Sequence, residues 1–246
     1  MKISVIPTAQ QAQDIDFSGK TAVVIDVLRA TSVIVTALDN GAQEVIPVKT
    51  VEEAQSLYAT SDPSRTLLGG ERNSLKIEGF DLSNSPLEYK KKTVEGKTIL
   101  FTTTNGTNAI NNIKSADEIV LACFRNVGAV ADHVVELSHR GNRDVIIVCA
   151  GTEGRFSLDD GLCAGMLIEL LKQQTEVETD DMELLLNRFY NDSKSNLFGA
   201  LSGCKHLKRL FTLGFYDDIK FCLETNRVKI VPVLMSTSPY CRIACS

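Results

Sequence analysis

Residues 149–165 read CAGTEGRFSLDDGLCAG and place Glu153, Arg155, Asp159 and Asp160 within eight positions. Carboxylates hold divalent cations and a guanidinium holds phosphate, so this spacing suits phosphoryl chemistry. Gly151 and Gly154 lie in the same loop, between an apolar run at 145–148 (VIIV) and a helical pattern from Leu162. A strand, a glycine loop and a helix in that order aim backbone N–H groups at an anion. A second chemistry uses some of the same residues. Cys149 and Arg155 have the C-x5-R spacing in which a thiolate attacks phosphorus and the arginine clamps it. Against it, Val148 replaces the usual histidine and Phe156 the usual hydroxyl residue. Glu153, Asp159 and Asp160 would also repel a phosphate that came without a metal. The alternatives are a buried structural thiol at Cys149 and, at Asp159 and Asp160, acids that merely suit the first turn of a helix.

Four more polar clusters follow apolar runs. Asp26 ends TAVVI (21–25) and is followed by Arg29 and Thr31. The aspartyl phosphatases place a second aspartate two residues after such a nucleophile, but position 28 is Leu28, which leaves Asp26 as a Mg²⁺ ligand or base. Glu71, Arg72 and Asn73 follow TLLGG (66–70), and Arg125 and Asn126 follow EIVLACF (118–124). The run TILF (98–101) leads into TTTNGT (102–107), with Asn105, Gly106 and Thr107 before a helical pattern through Ile113. That loop lacks the GxxxxGK[ST] pattern, which disfavours nucleotide hydrolysis and fits a phosphate or sulfonate cradle. Each cluster alone also reads as turn and cap chemistry. In an open α/β sheet, strand C-termini share one crevice, so five such ends predict a common polar site.

The elements that must position these residues alternate. Short strands are expected at 3–6, 21–25, 44–48, 66–70, 98–101, 117–122, 143–148 and 228–233, the last an edge strand because of Pro232. Helices are expected between most of them, one opening on Thr50 with Glu53 as a capping box, and several over 182–224. Residues 74–89 read as a loop over the site. Segments 21–48 and 98–122 form a loose internal repeat, which predicts two similar half-sheets. The class is α/β, a three-layer sandwich with a mostly parallel or mixed sheet. No linker divides residues 1–246, so one domain is expected.

Composition narrows the function. The chain has 43% apolar and 23% charged residues and a net charge of −5, which gives no electrostatic footprint for nucleic acid. No apolar run reaches the ~20 residues of a membrane span, and a cytoplasmic protein is expected. Seven cysteines without CxxC spacing read as reduced thiols rather than a disulfide or zinc framework. The three histidines fall outside the glycine loops, which disfavours a histidine-dependent mechanism. A homodimer is the default expectation.

With VIDVLRATS (24–32), GGER (69–72), TTNGT (103–107) and CAG (149–151) through Gly161, the chain resembles the 2-phosphosulfolactate phosphatase family over nearly its whole length. The resemblance implies a Mg²⁺-dependent hydrolase that converts 2-phospho-3-sulfolactate to 3-sulfolactate in coenzyme M biosynthesis, on an α/β/α sandwich unlike the common phosphatase folds. Such a substrate carries phosphate, carboxylate and sulfonate, so its site needs anion-binding groups and a metal. The expected metal ligands are Asp26, Glu153, Asp159 and Asp160. The expected catalytic groups are Asp26, Arg29, Glu71 and Arg155. Substrate contacts are expected from Arg29, Thr31, Arg72, Asn105, Gly106, Thr107, Arg125, Gly151, Gly154 and Arg155. A cysteine phosphatase using Cys149 and a non-catalytic anion sensor are the competing readings.

Overall fold

The computed structural model describes residues 1–104, 106, 109, 110, 113, 115–141, 143–236 and 241–245. The strands are β1 (Ile3–Ile6), β2 (Thr21–Ile25), β3 (Glu44–Pro47), β4 (Thr66–Arg72), β5 (Leu75–Lys76), β6 (Thr98–Thr102), β7 (Glu118–Ala122), β8 (Val145–Cys149), β9 (Pro232–Ser236) and β10 (Cys241–Cys245). They form one sheet in the order β1-β8-β2-β7-β9-β10-β3-β6-β4-β5. Every residue of β2 and of β8 is buried, as expected of strands covered on both faces. Alternate side chains go to opposite sides. Val23, Ile25, Ile147 and Cys149 join one core layer, and Ala22, Val24, Ile146 and Val148 join the other.

The helices are α1 (Ala30–Asp39), α2 (Val51–Ala59), α3 (Lys91–Val94), α4 (Val127–Gly141), α5 (Leu158–Gln174), α6 (Asp181–Ser193), α7 (Leu197–Leu201), α8 (Lys205–Thr212) and α9 (Tyr216–Cys222). Residues of α4 and α5 line the first core layer and those of α1 the second, which gives the expected three-layer α/β/α sandwich. Thr50 caps α2, its hydroxyl accepting from the Glu53 N–H at 3.1 Å. The helix expected through Ile113 lies partly outside the described residues. No described helix is long and apolar enough to cross a membrane.

Two expectations about the sheet are corrected. Strand β9 is interior, between β7 and β10. Its Pro232 is the first residue, where a missing N–H interrupts no ladder. The strand that covers it, β10, carries CRIAC (241–245) and was not anticipated. Two half-sheets built from the two repeats do not form either. Strand β2 pairs with β7 and β3 pairs with β6, so each segment crosses from one parallel block to the other.

The β9–β10 hairpin joins the blocks through three antiparallel steps, β7 to β9, β9 to β10 and β10 to β3. An odd number of reversals makes β3, β6 and β4 run opposite to β2 and β8 along the ladder. Their C-terminal ends meet nonetheless, because Asp26, Glu71, Thr103 and Thr152 line one pocket.

Candidate active site

The β2–α1 turn supplies the inner wall. Thr31 closes it, donating its hydroxyl to the Asp26 carbonyl at 2.8 Å and accepting the Asp26 N–H at 3.1 Å. Thr31 therefore holds the turn, and its oxygen is engaged in that role rather than in substrate contact. The Asp26 carboxylate accepts the Ala30 N–H at 3.3 Å. A Cβ at Gly106 would lie 2.7 Å from Asp26 Oδ2 and 2.7 Å from Ala30 Cβ, so a side chain at that position would crowd the carboxylate. Asn105 and Thr107, expected to bind anions, lie outside the described residues.

Arg29 is buried in the same turn. Its guanidinium pairs with Asp218, donates to the Ser74 carbonyl at 2.9 Å and stacks 4.0 Å over the Phe215 ring. Asp218 also accepts from the Ser85 hydroxyl at 2.7 Å. The cation is thus fixed from three sides before any ligand arrives, and it lines the pocket. Glu71 braces the neighbouring wall, accepting the Thr104 N–H at 2.8 Å and the Ser74 N–H at 2.7 Å. Both of its oxygens hold backbone in place.

The glycine loop after β8 departs from a phosphate cradle. Thr152 and Arg155 exchange backbone hydrogen bonds of 2.8 and 3.0 Å around Glu153 and Gly154, whose φ values are 54° and 71°. Such a pair of left-handed residues makes a type I′ turn. Gly151 gives its N–H to Asp160 Oδ2 at 3.0 Å, and the other Asp160 oxygen accepts the Val27 N–H at 2.9 Å. Three N–H groups of the loop are therefore committed inside the protein. Gly154 serves the turn, and Arg155 is exposed beside an adjoining, mostly apolar cavity. Cys149 points into the core layer, and burial followed by the nearby Asp160 and Asp159 charges pushes its thiol well above the usual range. That is the opposite of what a nucleophilic thiolate needs, so the C-x5-R reading fails.

The acids divide in two. Glu153 sits outside, bonded to Arg209 at 3.0 Å and near Lys205 at 3.5 Å, and so is not among the inner carboxylates. Asp26, Asp159 and Asp160 are buried together. Burial, then the charges of Asp159 and Glu71, raise the Asp26 carboxyl to about 7, against the hydrogen bond from Ala30 and the charge of Arg29. Burial, then Asp159 and Asp26, raise Asp160 well above the carboxylate range despite its two N–H donors. Asp159 Oδ1 accepts from Ser157 at 2.5 Å, while Oδ2 is buried without a hydrogen-bond donor among the described residues. No three described His, Cys, Asp or Glu side chains converge as a ready-made metal group. A buried carboxylate oxygen without a donor beside a second, mutually repelling carboxylate does suit one Mg²⁺, which takes few protein ligands and keeps several waters.

Four of the five polar strand ends converge as expected, on one pocket. The fifth does not. Arg125 pairs with Glu224 and stacks 3.7 Å over Phe221, and Asn126 bonds the Leu121 carbonyl at 3.0 Å. Both are structural, because the 226–228 segment closes over that strand end, with the Arg227 and Val228 N–H groups on the Arg125 carbonyl at 2.7 and 3.0 Å. Arg72 is also turned aside, onto Thr102 Oγ1 at 2.9 Å and the Glu71 carbonyl at 2.7 Å. In exchange, α8 brings in His206 and Arg209, and α9 brings Asp218. His206 Nδ1 stands 3.1 Å from Thr152 Oγ1 and 3.9 Å from Asp159 Oδ2, so a histidine outside the glycine loops in sequence reaches the pocket in space. The run KHLKR (205–209) spaces Lys205 and Arg209 one helical turn apart, a signal that names a basic helix face but not where it docks.

Comparison with known proteins bears on the family. A sequence profile of the family described as 2-phosphosulpholactate phosphatase matches residues 6–237. A protein of Caldanaerobacter subterraneus subsp. tengcongensis, named probable 2-phosphosulfolactate phosphatase, is 51% identical over 234 residues, 95% of this chain and 95% of its own. Proteins with the same name from Thermotoga petrophila and Clostridium novyi are 46% identical over 217 residues and 44% identical over 232. The first of these two alignments covers 88% of this chain and 90% of the relative, the second 94% and 96%.

Proposed function

The chain belongs to the 2-phosphosulfolactate phosphatase family, a family of phosphoric monoester hydrolases, and from that premise we propose that its pocket hydrolyses 2-phospho-3-sulfolactate to 3-sulfolactate and phosphate with Mg²⁺ as cofactor. The observation that carries the reading is that Asp26, with the buried Asp159 as its electrostatic neighbour, and the preorganised guanidinium of Arg29 are brought together, Asp26 and Arg29 lining one pocket. Asp26 and Asp159 would hold the metal. When bound, Mg²⁺ supplies positive charge against the phosphoryl oxygens and lowers the pKa of water.

The chain's own groups do the rest. Arg29 takes phosphoryl oxygens, and because Asp218, Ser74 and Phe215 already fix it, no reorganisation is needed as charge builds up. Thr31 and Asp160 hold the β2–α1 turn that presents Asp26. Glu71 ties the end of β4 to the backbone after β6, so that the walls keep their spacing. Cys149 takes no part. The reaction is a cytoplasmic one on a small soluble substrate, and coenzyme M biosynthesis is a route that uses the product.

Phosphate release from 2-phospho-3-sulfolactate and a panel of 2-phospho acids tests this, with and without Mg²⁺, for wild type, Asp26→Asn and Cys149→Ser. Activity that needs Mg²⁺ and Asp26 but not Cys149 is expected. Full activity of Asp26→Asn, or indifference to EDTA, overturns the mechanism.

A further inference from the structure

Two arginines hold successive carbonyls of the β4–β5 turn. Arg29 donates to Ser74 at 2.9 Å and Arg209 donates to Asn73 at 3.1 Å. Both line the pocket, so two guanidinium groups face one ligand space from neighbouring anchor points. Their counterions differ. The Arg29 and Asp218 side chains are 1% and 5% exposed, and Asp218 is itself held by Ser85. The Arg209 and Glu153 side chains are 39% and 54% exposed, and Glu153 sits at the tip of the 152–155 turn. An exposed ion pair of this kind is held weakly and exchanges with an incoming anion.

Glu153 also spans two cations. Its Oε1 meets Arg209 at 3.0 Å and its Oε2 faces Lys205 at 3.5 Å, so one carboxylate occupies a place with two positive partners. Arg209 and Glu153 belong to the walls of both the main pocket and the adjoining cavity. A substrate phosphate on the inner arginine would therefore carry its neighbouring groups toward this outer pair.

The geometry points to Arg209 and Lys205 as the subsite for a second acid group of the substrate, sulfonate or carboxylate, with the Glu153 carboxylate standing in for that group until substrate displaces it. The inference rests on the phosphatase reading and sharpens it. The enzyme selects small phosphate esters that carry another strong acid within a few bonds of the ester oxygen, and Glu153 sets how readily they enter.

The test compares wild type, Arg209→Gln and Glu153→Gln on 2-phospho-3-sulfolactate, on 2-phospholactate, which keeps only the carboxylate, on phosphorylated 2-hydroxyethanesulfonate, which keeps only the sulfonate, and on ethyl phosphate, which has neither. Loss of a charge-assisted hydrogen bond is expected to raise KM of the acid-bearing esters about ten- to hundredfold more than that of ethyl phosphate in Arg209→Gln. Glu153→Gln is expected to lower KM for the same esters. The ester whose KM moves most identifies which acid group occupies the subsite. Equal losses on all four esters, or no change in Glu153→Gln, overturn the assignment. Calorimetric binding of 3-sulfolactate separates the two ideas. A wild type that releases no phosphate sinks the phosphatase reading, whereas equal 3-sulfolactate binding by wild type and Arg209→Gln sinks the subsite.

Discussion

Arg29 and Arg125 make the same set of contacts in two places. Each follows a mostly buried strand, stacks over a phenylalanine from the C-terminal segment at 4.0 or 3.7 Å and pairs with an acid from that segment. Yet one lines the pocket and the other is structural. The difference lies in what covers the strand end. Beyond β7, the 226–228 backbone bonds to Arg125 and closes the space. Beyond β2, the ends of β4, β6 and β8 arrive instead, and their walls leave a gap. A stacked, acid-paired arginine at a strand end is thus a positioning unit, and its surroundings decide whether it meets a ligand.

The comparison can be broken most directly at the arginines. Arg29→Ala is expected to lower kcat/KM by ~10²–10³-fold, the scale of one lost preorganised charge donor, while Arg125→Ala keeps kcat/KM within about twofold and loses roughly 1–3 kcal/mol of stability through its charged hydrogen bonds. Comparable activity losses in steady-state assays of both variants would show that the two sites are not distinct. The partner acids come next. Removing the buried charge in Asp218→Asn strands Arg29 and is expected to cost about 3–5 kcal/mol in denaturant unfolding. Glu224, 41% exposed, is expected to cost under ~1 kcal/mol as Glu224→Gln. Similar midpoint shifts for the pair would remove burial as the distinguishing cause.

The acidic wall beside Arg29 makes a smaller prediction with a definite sign. Asp26 titrates near 3.8 in the unfolded chain and at about 7 when folded. Between those values the folded protein holds a proton that the unfolded chain has released, so its contribution to stability is full below 3.8 and is lost as pH rises through about 7. Without Mg²⁺, thermal stability should therefore fall from pH 4 to 7, and Asp26→Asn should flatten that slope. An unchanged slope in the variant counts against a raised Asp26. The smallest effect is expected at Cys149. Cys149→Ser should stay within about twofold of wild-type activity and native Cys149 should resist alkylation, because a buried protonated thiol is inert. Rapid alkylation on mass spectrometry would bring the thiolate mechanism back.

Much of the fold could be read from local pattern. The runs TAVVI and VIIV are apolar throughout because both faces of their strands are covered, and the Thr50 cap is a contact within four residues. Pro232 misled, since a proline at the first position of a strand looks the same in sequence whether the strand is interior or at an edge. The site was legible to the extent that its groups sit at strand ends, as Asp26, Arg29 and Glu71 do. Arg72, Arg125 and Arg155 sit at or beyond strand ends too, but Arg72 and Arg125 bond away from the pocket and Arg155 stands beside the adjoining cavity. Asp218, His206 and Arg209 arrive from helices more than forty positions from the acid or arginine that each faces, and nothing in their local spacing says where those helices dock.

The chain by itself determined the alternation of buried strands and helices and the clustering of polar residues after them, because burial periodicity and turn chemistry act over a few residues. The tertiary structure alone decided which polar groups remain available. Thr31, Gly151 and Asp160 were committed to backbone, and Glu153 was carried out to Lys205 and Arg209. One buried oxygen of Asp159 was left beside Asp26 without a donor among the described residues. A polar group's function depends on the partners it has not already found, and those partners are set by contacts between distant segments.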